Sequence, residues 1–194
     1  MIDAQLKELL LQSLEHERGG VLIYETALAC AVESSLKKEW QEYLDQTRRH
    51  VAVLTQVCRE LSIDPAEQTP GCRIVHHNGT ALVVAMQMAL AEGDPVAAQL
   101  VACESVVLAE TKDHADWQLI GEYAAGADDQ VRSVLQKAYD QVEDQEDEHL
   151  YHTKGWCREL WLKSLGLKAV LPPPEERAHV KTAVAAARAA SGRG

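Results

Sequence analysis

Apolar residues recur along this chain at spacings of three and four, the period of one helix face, in four long stretches separated by turn-forming residues. The first runs from about Asp3 to Val32 with the stripe Leu10, Leu14, Glu17, Val21, Tyr24, Leu28 and Ala31. Ser34 and Ser35 are suited to capping a second helix that reaches about Leu61. Its stripe is Trp40, Leu44, Thr47, Val51, Leu54, Cys58 and Leu61. Asp64-Pro65 and Thr69-Pro70-Gly71 break the pattern, and the connection from Cys72 to Gly93 carries a shorter helical piece, Ala81–Ala91. Gly93-Asp94-Pro95 marks a restart, because Asp94 can cap and Pro95 suits a first helical turn. A third long helix follows to about Tyr123, with Leu100, Cys103, Val107, Glu110, His114 and Trp117 on one face. After the turn at Gly126–Asp129, a fourth reaches about Leu165, with Leu135, Val142, Glu146, His149, Trp156 and Leu160 inward, and Gly166 stops it. The pattern predicts an all-α fold: two helical hairpins joined by a long crossover, an antiparallel four-helix bundle over residues 1–167. Pro172-Pro173-Pro174 then predicts a stiff linker, and residues 168–194 a weakly helical tail.

The informative positions are those where the stripes are polar. An unpaired carboxylate in an apolar core costs several kcal/mol or stays protonated, yet every long helix carries acids or imidazoles on its inner side: Glu17, then Thr47 with His50, then Glu110 with His114, then Glu146 with His149. Glu17 and His50 are equidistant from the turn near Ser34, and Glu110 and Glu146 from the turn at Asp128. Both hairpins thus put their polar residues about 25 Å from the turn at 1.5 Å rise per residue, which predicts a single polar layer. Carboxylate oxygens and neutral imidazole nitrogens suit iron, manganese or zinc, and a divalent cation cancels charges that would otherwise repel. Glu146-x-x-His149 sets two donors on one helical face. Glu17, His50, Glu110, His114, Glu146 and His149 are therefore the candidate metal ligands. Gly19-Gly20, next to Glu17, predicts a close helix approach or a local bulge.

Composition narrows the function classes. With 30 acidic against 19 basic residues, the formal net charge is −11, which opposes binding to nucleic acid, itself a polyanion. Five widely spaced cysteines without a CxxC pair give neither a disulfide framework nor a zinc ribbon. The longest apolar stretch, Val21–Val32, is interrupted by Glu25 and Thr26 and is too short to span a bilayer, and the N-terminus lacks a leader pattern. A cytoplasmic protein with no membrane partner is the expectation.

These residues resemble the ferritin-like di-metal carboxylate superfamily, in particular its rubrerythrin-like and bacterioferritin-like members. Their pattern is a Glu on the first helix, Glu-x-x-His on the second, Glu on the third and Glu-x-x-His on the fourth. Glu17 followed by Tyr24, Glu110 followed by Trp117, and Glu146-x-x-His149 fit that pattern. The second helix departs from it, reading Thr47-x-x-His50. The resemblance covers about residues 3–165 and implies a ferritin-like bundle, a homodimeric assembly, and an iron- or manganese-dependent oxidoreductase acting on oxygen or peroxide. The departure leaves two readings open: a variant site in which His114 compensates, or a non-catalytic bundle whose site has degenerated.

Overall fold

The computed structural model describes residues 2–192, and among them it holds seven helices and no strand. In chain order they are α1 (Ala4–Cys30), α2 (Ser34–Glu60), α3 (Pro70–Ala91), α4 (Pro95–Gly126), α5 (Asp129–Ser164), α6 (Pro174–Arg177) and α7 (Ala183–Ser191). The four long helices close a ring in which α1 packs on α2 and α4, and α5 packs on the same two, while α3 lies outside against α1 and α4. No described helix is long and apolar enough to cross a membrane.

The helix ends follow local chemistry. Asp3, Asp94 and Asp128 each accept from backbone N–H groups of the helix they precede, satisfying donors that would otherwise have no partner. At α2 the expected serine cap is absent. Glu33 stands at the cap without a side-chain bond, and Gln99 of α4 accepts instead from the N–H groups of Val32 and Glu33, at 2.7 Å each. α3 is longer than the sequence pattern predicts. Thr69 accepts from Cys72 N–H, and Pro70 occupies the first turn, so Thr69-Pro70-Gly71 begins a helix rather than breaking one. His76 and His77 consequently lie on α3 and not in a loop.

The core is divided. One apolar cluster gathers Ile23, Leu36, Trp40, Cys103, Trp156 and Leu160. A second gathers Leu10, Leu14, Leu54, Trp117, Ile120 and Leu135. On every long helix the residues between the two clusters are polar: Glu17 on α1, Thr47 and His50 on α2, Glu110 and Asp113 on α4, and Glu146 and His149 on α5, all buried. Each fully buried leucine contributes about 1.5–3 kcal/mol, so two such clusters can carry a costly layer between them.

Glycine is used for close approach at two places that matter. A Cβ on Gly20 would lie 3.2 Å from Thr47 Cγ2, so α1 and α2 meet tightly beside the polar layer without any bulge in α1. A Cβ on Gly155 would lie 2.7 Å from Glu175 Oε2 and 3.0 Å from Pro173 Cβ. That notch lets the C-terminal segment lie against α5. Arg158 clamps the segment with two hydrogen bonds to Glu175, of 2.6 and 2.9 Å, and Val180 beyond it is 1% exposed.

Candidate metal centre

Two groups of buried side chains each converge on one point. Glu17, His50 and Glu146 form the first, and Glu110, Glu146 and His149 the second; within each group the donor atoms lie within 4.8 Å of one another. Glu146 belongs to both. His50 Nδ1 stands 2.8 Å from Glu146 Oε1 and 3.5 Å from Glu17 Oε1. His149 Nδ1 stands 3.5 Å from Glu146 Oε1 and 3.5 Å from Glu110 Oε2. Either group is able to hold a metal ion.

The same side chains are also fixed by groups on facing helices. Tyr24 of α1 donates its hydroxyl to Glu110 Oε1 at 2.8 Å, and Trp117 of α4 donates its indole N–H to Glu17 Oε1 at 2.9 Å. His50 Nε2 meets the Gln145 side-chain oxygen at 2.9 Å, and His149 Nε2 meets that of Gln46. A carboxamide oxygen only accepts, so Nε2 carries the proton in both rings. A neutral ring of that tautomer turns its Nδ1 lone pair toward the carboxylate oxygens.

Acceptors facing acceptors is an unfavourable arrangement unless a proton or a cation lies between them. Glu17 Oε2, His50 Nδ1, Glu110 Oε2, both oxygens of Glu146 and His149 Nδ1 are all buried without a hydrogen-bond partner. Electrostatics carries the same strain. Burial pushes Glu17 up to about 7, against the pull of His50 and Trp117. Burial and the neighbouring Glu110 and Glu17 hold Glu146 well above the carboxylate range. Burial acts on Glu110 in the same sense but is outweighed by His149 and the Tyr24 hydroxyl, which bring it down. Burial lowers His149, keeping its ring neutral.

Five of the six predicted ligands meet here. His114 does not: its Nδ1 lies 3.1 Å from Asp147 Oδ1 and its Nε2 faces Gln118. It sits to the side of the layer because an i+4 step from Glu110 turns it past the bundle axis. The i+3 residue, Asp113, takes the inward position: it is 4% exposed, its Oδ1 has no partner, and burial together with Glu146 and Glu17 raises its carboxyl well above the usual range. Glu25 and Glu104, which flank the inner stripes, are engaged at the surface with Arg48 and Trp161. The acceptors that orient the imidazoles are Gln46 and Gln145, each four residues before the histidine of its own helix. That repeated Gln-x-x-x-His spacing was the signal available in the sequence.

Comparison of the chain with protein-family models, with curated proteins and with solved structures finds no match. The reading of the site therefore rests on its own residues.

Proposed function

We propose that this is a metal-binding helical-bundle protein whose polar layer would hold a pair of divalent transition-metal ions, with Glu146 common to both donor groups, and that it is an iron- or manganese-dependent oxidoreductase in the manner of ferritin-like proteins. The observation that carries the proposal is Glu146 itself. Both of its oxygens are buried and unpartnered, and it is common to two donor groups, each with its own imidazole and its own second carboxylate. Glu17 with His50 would hold one ion and Glu110 with His149 the other, a mixed nitrogen and oxygen set that suits iron, manganese and zinc. When bound, iron or manganese would supply electron exchange with dioxygen or peroxide, which redox-inert zinc would not.

The chain's own residues set the conditions for that chemistry. Gln46 and Gln145 fix the tautomer and aim of the two imidazoles. Tyr24 and Trp117 hold Glu110 and Glu17 in place by donating to one oxygen of each carboxylate. Asp113 offers a further carboxylate beside Glu146, which makes up in part for Thr47, whose hydroxyl donates to its own helix at Tyr43 O. The two apolar clusters exclude water above and below the layer.

Purified protein loaded with ferrous iron or manganese under nitrogen and then desalted tests the reading. About two equivalents of metal are expected in the wild type, with oxygen consumed on exposure of the iron-loaded form. Less than about one-tenth equivalent of any transition metal would end the proposal and leave a non-catalytic bundle with a hydrogen-bonded polar layer.

A further inference from the structure

The helix outside the ring, α3, is apolar on both of its faces. Cys72, Val75 and Met86 are buried, and Leu82, Val83 and Ala89 pack against the bundle. The opposite face carries Ile74, Ala81, Ala85 and Met88, with Val84 on its flank. All five are exposed, Ile74 at 63% and Met88 at 65%. A surface helix ordinarily turns charged residues outward, and one that is apolar all round is a helix that something covers. Among the described residues nothing lies over that face, because α3 meets only α1 and α4, on its inner side.

Charge singles out the same helix. No Asp, Glu, Lys or Arg occurs from Ile74 through Ala91, the longest such run in a chain whose formal net charge is −11. Two copies of so acidic a molecule repel unless they meet where acids are missing, and α3 is that place.

Spacing and the ends of the run say what shape fits. Ile74, Ala81 and Met88 stand seven residues apart, the repeat by which one helix keeps contact with another along its length. Arg73 precedes the run and Glu92 follows it. Glu92 falls in line with the stripe, since it lies about five turns beyond Ile74 at 3.6 residues per turn. Arg73 bonds only to a backbone oxygen, that of Gln68, and neither it nor Glu92 forms an ion pair among the described residues. The face is therefore uncharged along its length and oppositely charged at its two ends.

We propose that α3 is a self-association surface, at which two copies of this chain pair their α3 helices antiparallel about a twofold axis at Ala81. Ile74 then faces Met88 of the second copy at each end, and Ala81 faces its own counterpart, where a small side chain lets the helices approach. Arg73 comes within reach of Glu92 of the second copy. The charges require this direction, because a parallel pair would set Arg73 against Arg73 and Glu92 against Glu92, and antiparallel pairing also opposes the two helix dipoles. Such a contact is closed by its symmetry and stops at two copies. One helix pair is a small interface, so the association is reversible.

The test uses the full, metal-free chain, so its outcome does not depend on the proposed metal pair. Mass is followed by sedimentation from about 1 µM to about 500 µM, and the wild type is expected to rise to twice the chain mass. Met88→Glu and Ala81→Glu, both at exposed positions, should weaken association at least about tenfold with Tm of the monomer unchanged. Val184→Glu, at a site 61% exposed on α7 and away from α3, should leave association as it is. Arg73→Glu and Glu92→Arg should each weaken it at low salt, and the two together should restore it. Three results would overturn the surface: a wild type that is monomeric at every concentration, which would leave the face to a different protein; a Met88→Glu variant that associates as the wild type does; or a charge exchange that associates no better than its single variants.

Discussion

The α1–α2 and α4–α5 hairpins use the same devices at the polar layer and differ at one pair of positions. In each, a glutamate is followed seven residues later by an aromatic donor, Glu17 by Tyr24 and Glu110 by Trp117, and each donor serves the glutamate of the other hairpin. In each, a glutamine stands four residues before a histidine and accepts from the histidine of the other hairpin. The halves part at Gly20 and Thr47 on one side and Asp113 and Glu146 on the other. The first pair is small and in contact; the second is a pair of buried carboxylates in which Asp113 Oδ1 and both oxygens of Glu146 have no hydrogen-bond partner. One hairpin packs closely without charge at these positions, and its counterpart carries the carboxylate common to both donor groups.

This comparison can be broken most directly at its unequal pair. Replacing Glu146 by Leu should abolish loading of both ions while leaving the metal-free protein equally or more stable, because removing a buried, uncompensated acid is often stabilising by about 1–4 kcal/mol. Replacing its counterpart Thr47 by Val should leave metal content unchanged. Metal analysis beside thermal unfolding reads both, and equal loss of metal in the two variants would refute the asymmetry.

Protons should compete for the same atoms. Glu17 is raised from 4.5 to about 7 in the fold, so the folded metal-free chain binds more protons than the unfolded one between those values. Its contribution to stability is complete below about pH 4.5 and is lost as pH rises through about 7. Metal-free protein should thus melt at a higher temperature at pH 5 than at pH 7.5, and loading with manganese should reverse that order, since bound metal displaces the protons.

Smaller changes sharpen the comparison. Asp113→Asn should weaken metal binding by about 10-fold to 100-fold, with Gln145→Leu and Gln46→Leu in the same range and matched to each other. Competition against a chelator measures all three, and a large difference between the two glutamine variants would show that the halves do not share the work of orienting imidazoles. The smallest effect concerns a helix end away from the site. α2 and α5 both close with a left-handed residue, Ser62 at φ 59° and Gly166 at φ 72°. Ser62→Gly should raise stability by about 1 kcal/mol, seen as a small upward shift in Tm.

The long helices were legible because their stripes keep one period over seven or more turns, and the polar layer because a break in such a stripe stands out. The start of α3 was not, since Thr-Pro-Gly reads as a stop when its threonine is not recognised as a cap. Asp113 escaped for a different reason. Steps of three and four from Glu110 reach Asp113 and His114, and periodicity accepts both; only the interior packing decides between them. The glutamines escaped because an uncharged amide on an acidic helix carries no obvious signal. The role of the C-terminal segment rests on Gly155, whose missing side chain has meaning only once Glu175 is seen against it.

The division of the core has a mechanical consequence. Two greasy ends joined by a hydrophilic belt make a molecule whose waist lacks the cohesion of its poles. Without a cation to cinch it, breathing should concentrate at mid-helix rather than at the frayed tips, where amide exchange is usually fastest.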